Sequence, residues 1–172
     1  RTLLADAFGA EAPLVAARYP LDRYDGSTAL AYTAAVTDGV FACPIDVYAT
    51  GLARRPSPAV YAYEFSDRTA PVPEPMRALP FKVGAGHALE LRYLFDIGGA
   101  PALNPAQRAL ADQMIAYWSR FVTTGAPEVP GQPAWPALNP ERPQRLSLQT
   151  GEPVLTEDFA ERHKCDFWAA RG

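Results

Sequence analysis

Residues 84–95, GAGHALELRYLF, contain His87, one of the two histidines in this chain of 172 residues. The stretch follows a predicted strand, and its glycines let the backbone turn sharply and approach other groups closely. A histidine on a loop of a rigid scaffold is a common catalytic placement. The residues alone leave two interpretations open, a catalytic histidine and a hydrogen-bonded structural one.

The elements on either side of this stretch have clear sequence signals. Residues 59–65, AVYAYEF, are aromatic and β-branched and follow Pro58, which predicts a strand, with a loop over residues 66–86. Asn104 and Pro105 suit the N-cap and first position of the clearest helix in the chain, and Gly125 suits its C-terminal end. The residues predicted to line one face of this helix are Leu110, Met114, Trp118 and Phe121.

The N-terminal part of the chain is predicted to be helical. Residues 1–19 indicate two short helices, and the Ala-rich residues 27–36 indicate a third. Asp38 is a plausible N-cap for a further helix, with Pro44 in its first turns, where a missing N–H matters least. The predicted apolar face of that helix consists of Phe41, Ile45, Tyr48 and Leu52.

Two shorter elements are predicted near the C-terminus, a strand at residues 145–148 and a final helix at residues 158–168. Helices around at least one aromatic strand indicate an α/β or α+β piece. Two strands do not make a doubly wound sheet, so either the rest of the sheet comes from elsewhere or the fold class is a different one.

Composition excludes some classes of function. The net charge of −3 argues against a nucleic-acid binder, which usually carries a basic face. No run of about 18 apolar residues is present, so no membrane span is expected, and no signal peptide is visible. The chain has 18 prolines, which are most frequent in residues 55–80 and 126–143. Aromatic residues interleaved with the prolines there predict packed surface loops of a single domain.

The other candidate groups have weak signals. The sequence has five serines and no G-x-S-x-G, so no nucleophile elbow is visible. His163 lies in a charged segment and is expected to be a solvated surface residue. Glu90 and Asp96 form a possible glycosidase-like pair that nothing specific favours. The spacing of the histidines with Cys43 and Cys165 is not that of a zinc site.

The two cysteines allow two interpretations. A bridge between Cys43 and Cys165 closes a long loop and stabilises the fold by roughly 4–5 kcal/mol in the chain-entropy model. Two buried free thiols are the alternative, which the residues alone do not exclude.

Five segments, in order, resemble the type-B carboxylesterases, the family that includes cholinesterases and bacterial para-nitrobenzyl-type esterases. The segments are TDGVFACP (37–44), PAVYAYEF (58–65), GHALELRYLF (86–95), MIAYWSRFVTTGAP (114–127) with AWP (134–136), and CDFW (165–168). They are similar to the family's T-D-x-x-F-x-C-P, P-V-Y-x-Y-x-F, histidine-loop, Y-W-x-x-F and C-x-F-W motifs.

The resemblance implies an α/β fold, with residues 1–172 forming the C-terminal part of a single α/β-hydrolase domain. It implies that His87 is the triad histidine, first general base on a serine and then general acid toward the leaving alcohol. It also implies that Glu90 supports the site from nearby and that Cys43 pairs with Cys165. Ala88 departs from the glycine often seen after the histidine.

The resemblance also implies which parts of the enzyme lie outside this chain and which partners and ligands the chain binds. The serine, the triad acid and the oxyanion hole precede the region covered here, so the expected partner is the N-terminal portion of the same enzyme. The isolated chain is therefore predicted to be inactive. The expected ligand is a small-molecule ester, without metal or organic cofactor, nucleic acid or membrane, and the disulfide favours a secreted or extracytoplasmic location. Family members without catalysis, which serve as binding domains, are the alternative.

Overall fold

The computed structural model describes residues 2–95 and 97–171. In chain order, the helices are α1 (Thr2–Phe8), α2 (Ala12–Arg18), α3 (Thr28–Val36), α4 (Cys43–Ala53), α5 (Glu74–Arg77), α6 (Leu91–Leu94), α7 (Pro105–Thr124), α8 (Phe159–Arg162) and α9 (Cys165–Ala169). The strands are β1 (Tyr63–Phe65), β2 (Arg145–Leu148) and β3 (Val154–Thr156). Short 3₁₀ turns lie at Gly9–Glu11 and Leu21–Tyr24, and a π-helical turn lies at Thr37–Ala42.

The chain divides into two compact units. Residues 2–48 and 158–171 form unit 1, and residues 49–157 form unit 2. The buried apolar cluster of unit 1 consists of Val15, Tyr19, Ala31 and Ala35. The cluster of unit 2 is larger and is made by Ala70, Leu89, Tyr93, Leu110, Ala111, Met114, Tyr117, Trp135, Leu146 and Leu148.

The helix starts in unit 1 agree in part with expectation. Ser27 caps α3, where its Oγ accepts a hydrogen bond from the amide of Leu30 at 3.3 Å. The prediction that Asp38 caps a separate helix is wrong, because α3 continues through the π turn into α4. Pro44 gives the physical reason, since its ring would clash with the carbonyl four residues back in a regular α-helix. A wider π turn ahead of a proline relieves that clash.

The joined helical stretch Thr28–Ala53 is long and apolar enough to cross a membrane, by length and composition alone. Core helices of soluble proteins meet the same description. Within the stretch, the buried Asp38 bonds to Tyr19, and Cys43 is bonded to Cys165. These bonds attach the stretch to other segments of unit 1.

The long helix α7 confirms its sequence signals. The Asn104 side chain accepts from the amide of Gln107 at 3.0 Å, and the Gln107 side chain accepts from the amide of Asn104 at 3.0 Å. Gly125 ends the helix with φ of +79°. The buried face differs slightly from the predicted one, because Tyr117 is fully buried whereas Phe121 is 45% exposed.

The sheet of unit 2 is mixed. β1 pairs with β2 in parallel, with Tyr63 opposite Leu146, and β2 pairs with β3 antiparallel. The strand at residues 145–148 is confirmed, β1 is shorter than the predicted 59–65, and β3 was not predicted. All four residues of β2 are buried, as expected for a central strand.

The proline-rich segment at residues 126–143 packs against the one at residues 55–80, as expected of packed loops. Trp135 is 7% exposed, and its indole Nε1 donates to the Ala62 carbonyl at 3.0 Å. The amide of Leu138 donates to the Val60 carbonyl at 2.7 Å. Aromatic rings from Tyr61, Tyr63, Tyr117 and Trp118 surround the Trp135 ring with centroids 5.4–6.5 Å away.

Candidate active site

His87 is exposed and lies in a turn over residues 87–90, which leads directly into α6. The turn is held by successive backbone bonds. The amide of Leu89 donates to the Gly86 carbonyl at 3.2 Å, and the amide of Tyr93 donates to the Glu90 carbonyl at 2.9 Å. Because Leu89 and Tyr93 are both buried, the exposed histidine is attached to a turn anchored in the core of unit 2.

The glycines before His87 have the roles that the sequence indicated. Gly84 has φ of +68°, in the left-handed region. A Cβ at Gly86 would lie 2.7 Å from Cγ1 of Val83, closer than real Cβ contacts come. The backbone therefore turns at the first glycine and passes close to a side chain at the second.

Ala88 has φ of +66°, a conformation that residues with a Cβ rarely adopt. The left-handed region costs a non-glycine residue roughly 1–2 kcal/mol. The family often has a glycine at this position, and the backbone conformation at Ala88 is one that glycine adopts more easily than alanine. Such strain is found more often at functional sites than elsewhere.

Glu90 is half-buried at the end of the turn, immediately before α6. Burial raises the pKa of the Tyr63 hydroxyl, and the nearby negative charge of Glu90 raises it further. The carboxylate is thus electrostatically coupled to β1, and its role beside the histidine stays a prediction. Asp96, the other half of the weak glycosidase-like pair, lies outside the described residues.

A buried carboxylate that the sequence did not single out lies near this turn. Asp67 is 2% exposed and follows β1 after one residue. Tyr93 donates to its Oδ2 at 2.5 Å, Gln107 donates to the same oxygen at 3.1 Å, and Thr69 donates to Oδ1 from its amide and its hydroxyl at 2.9 and 2.7 Å. We call these four side chains the Asp67 cluster.

The charge state of Asp67 follows from these contacts. Burial acts to raise the pKa of Asp67, but the hydrogen bonds from Tyr93, Thr69 and Gln107 outweigh it and keep the pKa below the usual value. Asp67 is therefore ionised at neutral pH. The available sequence signal was a Ser-Asp-Arg-Thr turn after a strand, in which the aspartate bonds two residues ahead.

The second histidine is not the solvated surface residue that was expected. The side chain of His163 is 15% exposed, and its Nδ1 lies 2.6 Å from Oδ1 of Asp38 in unit 1. The other oxygen of Asp38 accepts from the Tyr19 hydroxyl at 2.8 Å, which accepts in turn from Nε1 of Trp168 at 2.8 Å. The prediction from the charged segment was wrong because the His163 side chain points inward to the buried carboxylate of Asp38.

The expected disulfide is present. Cys43 and Cys165 are bonded with an S–S distance of 2.10 Å and a Cα–Cα distance of 5.1 Å. The alternative of two free thiols is therefore excluded. The predicted final helix is divided into α8 and α9 at Lys164, which has φ of +55°.

Three of the serines have structural roles. Ser27 caps α3, Ser66 donates to the Glu64 carbonyl at 3.4 Å, and Ser147 is buried in β2. Within residues 2–95 and 97–171, no group of three or more His, Cys, Asp and Glu side chains is arranged to hold a metal ion.

Helices packed with a sheet that contains a parallel strand pair agree with part of an α/β-hydrolase fold. The sequence profile described as the carboxylesterase family matches residues 16–168, so the chain belongs to the carboxylesterase family. That range includes the disulfide, the His87 turn and the Asp67 cluster.

Curated relatives agree with this assignment. The chain is 35% identical over 100 residues to the bile salt-activated lipase of Mus musculus, covering 56% of this chain and 16% of the relative. It is 36% identical over 96 residues to the Homo sapiens bile salt-activated lipase, covering 54% and 12% respectively. It is 30% identical over 120 residues to carboxylesterase 5A of Canis lupus familiaris, covering 64% and 19%. The chain thus spans less than a fifth of the length of these relatives.

Proposed function

We propose that this chain is the C-terminal part of a serine carboxylesterase and supplies the triad histidine, His87. The observation that carries the proposal is an exposed histidine on a core-anchored turn, within the residues that match the carboxylesterase family. The names of the relatives, a lipase and a carboxylesterase, agree with carboxylic esters as the substrate class.

In the proposed reaction, the imidazole of His87 takes the proton of a serine hydroxyl as that oxygen attacks the ester carbonyl. It then gives the proton to the leaving alcohol, which leaves an acyl-enzyme. In the second half, the imidazole takes a proton from a water molecule as its oxygen attacks the acyl carbonyl. The imidazolium then returns that proton to the serine oxygen as the serine leaves, which releases the carboxylic acid and regenerates the serine hydroxyl and the neutral imidazole. The chemistry needs no metal or organic cofactor.

The serine, its acid and the oxyanion hole are proposed to lie in the N-terminal portion of the same enzyme, with residues 1–172 as the C-terminal part of one domain. Unit 1 has an exposed apolar surface that a further segment can cover. This surface consists of Val40, Phe41, Ile45, Val47 and Tyr48, each between 51% and 70% exposed. Solvent-exposed apolar patches of this kind mark surfaces that bind other protein segments. Because the serine, its acid and the oxyanion hole are proposed to lie in the N-terminal portion, the isolated chain is expected to be inactive.

An extracytoplasmic location is part of the proposal. The disulfide between Cys43 and Cys165 supports it, because structural disulfides persist mainly in oxidising compartments.

The test uses the protein expressed from its complete coding sequence. A fluorophosphonate probe, which labels activated serines, is combined with intact-mass spectrometry, and turnover of 4-nitrophenyl acetate is measured for wild type and His87→Ala. We expect a labelled wild type and a loss of turnover of at least about 1,000-fold in His87→Ala without loss of folding. The matched control is His163→Gln, the other histidine, which should keep turnover per folded molecule.

Two results would contradict the proposal. Unchanged turnover in His87→Ala would remove the histidine from the reaction. A folded wild type that neither takes the label nor hydrolyses esters would identify a binding or structural domain of the same fold instead.

A further inference from the structure

The Asp67 cluster joins three segments of unit 2 at one buried point. Asp67 follows β1, Tyr93 lies in α6, and Gln107 lies in the first turn of α7. All are buried, with exposed fractions of 1–3%. A single carboxylate therefore fixes the positions of α6 and α7 relative to the end of a strand.

The start of α7 is held twice. The Gln107 side chain donates to Asp67 at 3.1 Å and to the Thr69 carbonyl at 2.9 Å, while its oxygen closes the capping box with Asn104 at 3.0 Å. Each polar atom of this amide therefore has a partner. A buried network that is fully satisfied in this way is rigid.

Tyr93 connects the cluster to the histidine. The ring of Tyr93 packs edge-on against Phe65 of β1 with centroids 5.0 Å apart, and its hydroxyl donates to Asp67. Backbone bonds then lead from Tyr93 to Glu90, from Leu91 to Ala88, and from Leu89 to Gly86. These hydrogen-bonded turns span residues 86–93, and His87 lies within that span.

We propose that Asp67 and Tyr93 are positioning residues that fix the His87 turn in the geometry needed for proton transfer. This proposal rests on the proposed function of His87 as the triad histidine. Neither side chain touches the substrate in this proposal. The cluster acts by holding α6 so that the imidazole keeps its distance and direction to the serine hydroxyl. Small displacements of a catalytic group reduce the rate of the chemical step strongly, by up to about 100-fold for roughly 1 Å.

Tyr93→Phe tests the proposal because it removes only one hydroxyl and leaves the ring on Phe65. The matched control is Tyr117→Phe, since Tyr117 is also fully buried in unit 2 and its hydroxyl donates to the Pro133 carbonyl at 2.7 Å. Both variants lose one hydrogen bond of a buried tyrosine, but only the first loses a bond to the cluster.

The measurement is steady-state hydrolysis of 4-nitrophenyl acetate by the complete protein, with kcat expressed per fluorophosphonate-titrated site. We expect kcat of Tyr93→Phe to fall between about 10-fold and 100-fold with little change in KM, because the interaction matters for the chemical step and not for substrate binding. Tyr117→Phe should stay within about twofold of wild type. Equal kcat values in the two variants would overturn the positioning role.

A milder variant keeps the test decisive if Tyr93→Phe does not fold. Thr69→Val removes one hydroxyl bond to Asp67 from an exposed residue, and we expect a smaller fall in kcat per site with KM unchanged. A kcat equal to that of wild type would then count against the proposal. His87→Ala separates the two hypotheses, because if it retains turnover the esterase assignment of His87 fails whatever the Tyr93 and Thr69 variants do.

Discussion

Among the described residues, each unit buries one aspartate, and the two carboxylates have different partners. In unit 1, Asp38 lies 2.6 Å from Nδ1 of His163 and 3.6 Å from the ammonium of Lys164. In unit 2, Asp67 accepts only from neutral donors, those of Tyr93, Thr69 and Gln107. The first arrangement joins segments 125 residues apart in sequence, whereas the second organises segments within 40 residues.

This difference agrees with the size of the two cores. The apolar cluster of unit 1 is small and has two alanines among its four fully buried members, whereas that of unit 2 contains several large aromatic and aliphatic side chains. Small cores need staples such as disulfides. We infer that unit 1 depends on its disulfide and polar contacts, and unit 2 on its apolar core.

Removal of the disulfide should give the largest stability effect and should fall on unit 1. The bridge spans 122 residues, and a loop of that length is worth about 4–5 kcal/mol of unfolding free energy in the chain-entropy model. We therefore expect Cys43→Ala/Cys165→Ala to lower the urea midpoint of the complete protein strongly. Relative to wild type, amide hydrogen exchange should accelerate more in α9 than in α7. Equal acceleration in both helices would contradict the inference that unit 1 depends on the disulfide and unit 2 on its apolar core.

Removal of the Asp38 carboxylate should have the next largest effect. Asp38→Ala takes a buried hydrogen-bond partner from the Tyr19 hydroxyl and from His163, and each buried polar group that loses its partner costs about 1–3 kcal/mol. The matched control is Asp158→Ala, whose pair with Arg162 is exposed and is worth at most about 0.5 kcal/mol. Thermal unfolding of both variants checks the contrast, and similar losses would show that the buried pair adds nothing.

The two aspartates also show what the sequence can and cannot predict. Local signals predicted α7 and β2 well, because Asn104, Pro105 and Gly125 act on the backbone next to them. The N-cap prediction for Asp38 was wrong because a carboxylate that can cap a helix can equally bind a distant histidine. Only the folded chain brings residues 38 and 163 together.

The candidate site was predictable to a similar extent. The glycines and the resemblance singled out His87, and the fold places its exposed side chain on a turn anchored in the core of unit 2. The Asp67 cluster was missed because its members are separated by up to 40 residues and none has an unusual neighbour in sequence. Its buried aspartate became visible only through the packing of α6 and α7.

The charge of Asp67 gives unit 2 an acid-sensitive contact. Its pKa is below the usual value in the folded protein, so its contribution is fully present above the unfolded value of about 4 and is lost as pH falls through the lower folded value. Asp67→Asn should lose about 2 kcal/mol at neutral pH, the worth of a hydrogen bond to a charged group. The difference from wild type should shrink as the pH is lowered below about 4. Urea unfolding at a series of pH values measures it, and a constant difference would rule out an ionised Asp67.

The smallest effect concerns the backbone, where the two units can be compared directly. Ala88 in unit 2 and Asp25 in unit 1 have φ of +66° and +53°, both in the left-handed region. A glycine removes the steric cost of about 1–2 kcal/mol at such a position but adds unfolded-state entropy of roughly 0.5–1 kcal/mol. Ala88→Gly should therefore stabilise the protein by about 0.5–1 kcal/mol.

Asp25→Gly should change stability less, because aspartate tolerates the left-handed region better than alanine does. Differential scanning calorimetry of the two single variants gives both values. Ala88 is next to the proposed catalytic histidine, so kcat per titrated site belongs to the same experiment. If Ala88→Gly is more stable but slower, the strained turn holds His87 for the reaction at the expense of stability. If Ala88→Gly is more stable and equally fast, the backbone strain at Ala88 has no role in the reaction. The position of His87 then depends on the contacts that follow in α6.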